Sequence, residues 1–163
     1  MAERFAIGVA KENLKFSAAH FIAYPGFREP LHGHNYQVSV RVEGRLGSQG
    51  YVLDFGLVKR IVGDIVAGLN ERTIVPALSD CLRIETIDNS KVAIHYNQEQ
   101  FVLPAADVRL LPIVHSSAEE LARFIWTELR ATLVRQGQQG GILALEVSVA
   151  EAPGQFATYC ADL

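Results

Sequence analysis

Two long stretches of this chain alternate apolar and polar residues with a period of two. Phe5, Ile7 and Val9 open the first, and Leu14, Phe16 and Ala18 resume it after the polar Lys11-Glu12-Asn13. The pattern predicts one long strand, or a bulged pair, from Phe5 to Phe21. Tyr24-Pro25-Gly26 is a turn signal. Tyr36, Val38, Val40 and Val42 predict a second strand, and the glycine-rich Gly44 to Gly50 reads as a hairpin loop after it. The period then changes. Leu57, Val58, Ile61, Val62, Ile65, Val66 and Leu69 share one helical face, with Asp54 as N-cap. Residues 77–112 are the least regular part; short strands are expected near 81–87, 91–95 and 100–103. Pro112 precedes a second helix. Ser117 with Glu120, or Ser116 with Glu119, forms a capping box, and Leu121, Ala122, Phe124, Ile125, Leu129 and Leu133 supply the buried face. Gln136 to Gly141 breaks the pattern. Leu143, Leu145, Val147 and Val149 form a strand that ends at Glu151, and Phe156 to Cys160 comes after the Pro153-Gly154 turn as a last strand. Long alternating strands with two amphipathic helices define an α+β domain.

Composition narrows the class. At 163 residues, 49% hydrophobic and 20% charged, the chain is expected to be one soluble domain spanning 1–163, with 77–112 as an insertion. A net charge of −3 gives no electrostatic basis for binding nucleic acid or an anionic membrane. No apolar run reaches the ~18–20 residues that span a bilayer. Met1-Ala2-Glu3-Arg4 leads into strand-like alternation, not a signal-peptide pattern. Cys81 and Cys160 are far apart and form no metal-type pair, so both read as free thiols in a reducing, cytoplasmic setting.

The chemistry concentrates at Phe16-Ser17-Ala18-Ala19-His20 and His32-Gly33-His34-Asn35-Tyr36. Three of the five histidines fall within this stretch. His32 and His34 are two apart, so a strand points both to one face. A neighbouring strand bearing His20 adds a third nitrogen. Three protein ligands with one position left open is the arrangement of catalytic zinc; iron, nickel and copper also accept imidazole. His95, in the polar insertion, reads as an ordinary surface histidine.

These motifs resemble the 6-pyruvoyl-tetrahydropterin synthase and 6-carboxy-tetrahydropterin synthase family, and the resemblance covers nearly the whole chain. Val52-Leu53-Asp54-Phe55-Gly56 resembles the family's Met-Asp-Phe-Gly segment. Ser117-Ala118-Glu119-Glu120-Leu121-Ala122 resembles the Thr-x-Glu-Asn-x-Ala that starts its second helix. The resemblance implies a tunnelling fold (T-fold), in which an antiparallel four-stranded sheet with two helices on one face joins others into a barrel. The implied assembly is a homohexamer, a dimer of trimers. It implies Zn2+ on His20, His32 and His34, and a small pterin substrate anchored by Glu151, with Ser117 and Phe16 also substrate-binding.

The chain also departs from the family pattern. The family's catalytic cysteine before His-Gly-His is missing from Gly26-Phe27-Arg28-Glu29-Pro30-Leu31-His32. Glu29 gives Glu-x-x-His-Gly-His instead, which resembles the subgroup that replaces dihydroneopterin aldolase in folate synthesis. The expected reaction is therefore side-chain cleavage of 7,8-dihydroneopterin, or its phosphates, to 6-hydroxymethyl-7,8-dihydropterin, with Glu29 moving the proton. The family's Leu-Asp-His at the end of the first helix is here Leu69-Asn70-Glu71, leaving His115, and more weakly Glu71, as stand-ins for its relay. Arg28 is a candidate partner for a substrate phosphate. Two alternatives remain open: a phosphate-eliminating lyase of the pyruvoyl type, and an inactive homologue that keeps zinc and pterin.

Overall fold

The computed structural model describes residues 3–163. Strand β1 (Phe5–His20) is a single strand whose register with its partner shifts between Ala10 and Lys15, so the polar Lys11-Glu12-Asn13 is a bulge, not a break. Two-residue strands β2 (Ala23–Tyr24) and β3 (Phe27–Arg28) flank the Pro25-Gly26 turn, where Gly26 has φ +87°. Strand β4 (His32–Gly44) runs antiparallel to β1 along its whole length, from Phe5 opposite Gly44 to His20 opposite His32.

No hairpin comes after β4. Gly44 to Gly50 leads into α1 (Phe55–Ala67), because Val52 and Leu53 turn inward and Asp54 caps the helix, accepting from the Gly56 amide at 2.9 Å. The glycines instead make a local turn, with Gly50 N donating to Gly47 O at 3.0 Å. The helix stops at Ala67, two residues before the last apolar residue of its face, yet Leu69 stays buried.

Strand β5 (Arg72–Pro76) lies parallel to β1, and β9 (Val108–Leu111) lies parallel to β5. Between them, β6 (Arg83–Ile87), β7 (Lys91–Tyr96) and β8 (Glu99–Pro104) form a separate antiparallel sheet, succeeded by a 3-10 turn over Ala105–Asp107. Helix α2 (Ala118–Arg135) is capped by Ser117, whose Oγ accepts from Glu120 N at 3.3 Å; the Glu120 carboxylate pairs with Arg123 rather than closing a reciprocal box. Strands β10 (Ile142–Ala152) and β11 (Gln155–Asp162) complete the main sheet. Its order is β11-β10-β4-β1-β5-β9. The four expected antiparallel strands are its body, and two parallel strands extend one edge.

Both helices cover one sheet face. Phe16, Tyr36, Val38, Val40, Leu145 and Val147 meet Val58, Val62, Leu121, Ile125 and Leu129 in one core. Trp126 Nε1 donates to Leu145 O at 2.9 Å and fixes α2 against β10. A second apolar cluster joins the β6–β8 sheet to the main body through Phe21, Ala23 and Val75. Among the described residues, no helix is long and apolar enough to cross a membrane.

Candidate metal centre and adjoining cleft

The core-facing side of β1 carries Phe16, Ala18 and His20, and that of β4 carries Tyr36, His34 and His32. Their paired register puts His20 opposite His32 and Ala18 opposite His34. The buried stripe therefore ends in three imidazoles at the rim of the sheet. Ring centroids are 4.7 Å apart for His20 and His32, 5.2 Å for His20 and His34, and 5.0 Å for His32 and His34. One nitrogen from each lies within 4.8 Å of the others. Gly33 eases this pairing: a Cβ there would stand 3.0 Å from Ala18 O.

Two of the rings are oriented from behind. His20 Nδ1 lies 2.7 Å from Ser116 O and His32 Nδ1 lies 2.8 Å from Pro30 O. A carbonyl can only accept, so both Nδ1 atoms carry a proton and Nε2 is the nitrogen each ring has left to offer a metal. His20 Nε2 is buried without a partner among the described residues. Burial, above all, holds the His20 pKa below its ordinary value, and the neighbouring His32 and His34 push the same way. A neutral imidazole with an unshared, inward-facing lone pair is a metal ligand in waiting. A tetrahedral ion with Zn–N near 2.0–2.1 Å brings such nitrogens to about 3.4 Å from one another, so a small inward rotation of the rings accommodates it. Ser116, itself fully buried, is held by its own Oγ, which donates to Phe21 O at 3.0 Å. In the sequence Ser116 reads only as a helix cap; its one visible signal is its place just before α2.

Tyr36 stacks on Phe16, with centroids 4.7 Å apart and planes 13° from parallel, and presents its edge to His20 and His34. Its hydroxyl is buried without a partner among the described residues. Burial drives the phenol pKa far above its usual value, and the charges of Glu151 and Glu29 add to the effect. Both carboxylates are thus near the centre. Glu29 is half-buried; its Oε2 accepts from Ile22 N at 3.0 Å, and its own amide donates to Ile22 O at 2.9 Å. Glu151 is half-buried where the β10–β11 register shifts between Ala150 and Ala152. Such an irregularity re-aims a side chain at a strand end. Glu151, Ser117, Ile22, Gln155 and Phe156 line a cleft of ≈ 340 Å³.

The other sequence candidates lie differently. Phe16 is 1% exposed and packs beneath the centre instead of lining the cleft. His115 is half-buried next to Ser116, and no hydrogen bond among the described residues joins it to the cluster. Asn70 Oδ1 accepts from Ser17 N at 2.8 Å, and Glu71, at φ 55°, donates its amide to Ser17 O at 2.7 Å. That pair ties the end of α1 to β1. His95 sits on β7 with Nε2 3.2 Å from Glu85. Cys81 is half-buried and Cys160 exposed, and neither belongs to the histidine cluster.

The architecture is that of a T-fold subunit whose sheet rim carries a three-histidine centre. Residues 9–162 match the 6-pyruvoyl tetrahydropterin synthase family, and the chain belongs to it. A putative 6-carboxy-5,6,7,8-tetrahydropterin synthase of Methanocaldococcus jannaschii is 34% identical over 147 residues, covering 90% of this chain and 89% of that one. A dihydroneopterin monophosphate aldolase of Pyrococcus furiosus is 39% identical over 59 residues, covering 36% of this chain and 50% of that one. A solved structure of Plasmodium vivax 6-pyruvoyltetrahydropterin synthase superposes with a TM-score of 0.93 at 33% identity, covering 99% of each chain. It carries alanine in place of a glutamate named there as a catalytic residue.

Proposed function

We propose that this protein is a zinc-dependent lyase that cleaves the side chain of 7,8-dihydroneopterin, free or as its phosphate esters, to 6-hydroxymethyl-7,8-dihydropterin. The observation that carries the reading is Glu29: a carboxylate fixed on the Ile22 backbone, its charge felt at the Tyr36 hydroxyl next to the imidazoles, where the family pattern has a thiol. The Plasmodium vivax relative, whose catalytic residue is a glutamate, supports the same substitution of acid for cysteine. His20, His32 and His34 would hold zinc, and the orphaned His20 Nε2 fits that role. Bound there, zinc supplies Lewis acidity toward the side-chain hydroxyls of the substrate.

Glu151 accepts hydrogen bonds from the 2-amino group and the adjacent ring N–H of the pterin, a two-donor edge that suits a carboxylate. Ser117 lines the same cleft. Glu29 takes the proton of the second-carbon hydroxyl as the bond between the first and second side-chain carbons breaks. The second carbon leaves as an aldehyde, and Glu29 returns the proton to the first carbon, which the bond's electron pair has left as an enamine on the ring. His115 is a candidate relay for that proton. The free thiols Cys81 and Cys160 suit a cytoplasmic protein.

A second reading is pterin binding without turnover. It is favoured by Asn70 and Glu71, which tie β1 to α1 where the family has an acid–histidine relay. Incubating the zinc-loaded protein with dihydroneopterin triphosphate, its monophosphate and the free triol, then separating products by fluorescence-detected chromatography, distinguishes the readings. Hydroxymethyl-dihydropterin is the expected product. A pyruvoyl product with release of triphosphate would make it a phosphate-eliminating lyase. Zinc and tight pterin binding with no product would make it the inactive homologue.

A further inference from the structure

The β6–β8 sheet has no part in the chemistry above, yet it grips the segment that carries Glu29. Arg28 Nε donates to Glu99 Oε2 at 2.5 Å, and Arg28 Nη1 donates to Glu29 O at 2.7 Å. The guanidinium carbon lies 5.1 Å from the Phe101 ring centroid and 5.9 Å from that of Phe21. Tyr96 OH donates to Tyr24 O at 3.0 Å. Three residues of the insertion therefore meet the short β2–β3 hairpin, and Arg28 passes the contact on to the Glu29 backbone.

We propose that Arg28, Glu99 and Tyr96 are positioning residues that brace the Glu29 carboxylate against the metal centre, and that the inserted sheet exists in part to supply this brace. The inference rests on the reading of Glu29 as the proton carrier. Two-residue strands have almost no pairing of their own to hold a hairpin, so an outside support decides where it sits. An exposed ion pair alone contributes little. Here the arginine is only 19% exposed, is flanked by two aromatic rings, and spends separate N–H groups on the carboxylate and the carbonyl. Lysine, a point charge, cannot reproduce that fork. The same engagement spends Nε and one Nη1 N–H of Arg28 on the protein itself.

The test uses the full zinc-loaded chain and reads two quantities. Amide exchange at Ile22, whose N–H is bonded to the Glu29 carboxylate, reports the brace without turnover. Steady-state kinetics report its consequence. In Glu99→Gln, Ile22 exchange is expected to rise about tenfold and kcat to fall about tenfold, with KM and zinc content little changed. Tyr96→Phe removes a single oxygen and gives a smaller change in the same direction. Arg28→Lys behaves as a loss of the brace, and Glu99→Asp, which keeps the charged acceptor that glutamine lacks, recovers part of both readouts. Unchanged Ile22 exchange in Glu99→Gln and Tyr96→Phe overturns the brace. Faster exchange with unchanged kcat overturns the positioning role. Full turnover in Glu29→Gln, by contrast, defeats the reading of Glu29 as proton carrier and leaves the exchange result standing.

Discussion

Tyr36 buries a hydroxyl beside three imidazoles and gives it no partner among the described residues. An unpaired buried hydroxyl carries its desolvation cost with no return, so Tyr36→Phe should leave the metal-free protein as stable or raise its stability by up to about 1 kcal/mol. Thermal denaturation of the apoprotein checks this; a loss above about 1.5 kcal/mol would mean the hydroxyl has a partner there. At this scale the sequence was legible wherever chemistry is local. The His-x-His spacing and a strand partner bearing His20 found the three-histidine cluster, since a period of two fixes which side chains share a face. Ser116 and Arg28 were not legible in their roles. Each acts across the chain: Ser116 O accepts from His20, 96 positions away, and Arg28 reaches Glu99, 71 positions away. No local pattern encodes such partners.

The strand pair β1–β4 is the element that makes the site, and Gly33 is its tightest point. A Cβ added 3.0 Å from the Ala18 carbonyl crowds the two strands between His32 and His34. Gly33→Ala should cost about 1–3 kcal/mol and lower zinc occupancy together, read by denaturant unfolding and by elemental analysis of the same sample. Full zinc with unchanged stability would mean that the strands yield there freely. Both helices and the four antiparallel strands were visible as periodicities. Strand β5 was not, because Thr73, Ile74, Val75 and Pro76 are all buried and so show no alternation. The loop after β4 reads as a hairpin in the sequence because glycine content marks a turn without specifying the next element.

For the whole molecule, the backbone edges with no strand beside them among the described residues include β1 before Ala18 and the outer sides of β11 and β9. A hollow of ≈ 800 Å³ runs along β1, β4 and β10 up to Phe55 and Lys59 of α1, and Ser39, Arg41, Glu146 and Ser148 place polar groups in its largely apolar lining. We propose edge-to-edge assembly into a hexamer of two trimers. Light scattering coupled to size exclusion should give the mass of six 17.9 kDa chains; a monomer at micromolar concentration would oppose it. The fold of one chain was legible in its sequence; its assembly was expected only from the family resemblance. Turnover by Glu29→Gln at matched zinc content is the decisive measurement. Glutamine keeps an oxygen for the Ile22 amide and removes the acid, so hydroxymethyl-dihydropterin formation should fall by about 100-fold or more while zinc and pterin still bind. Turnover at the unsubstituted rate would contradict the proposal that this carboxylate carries the proton.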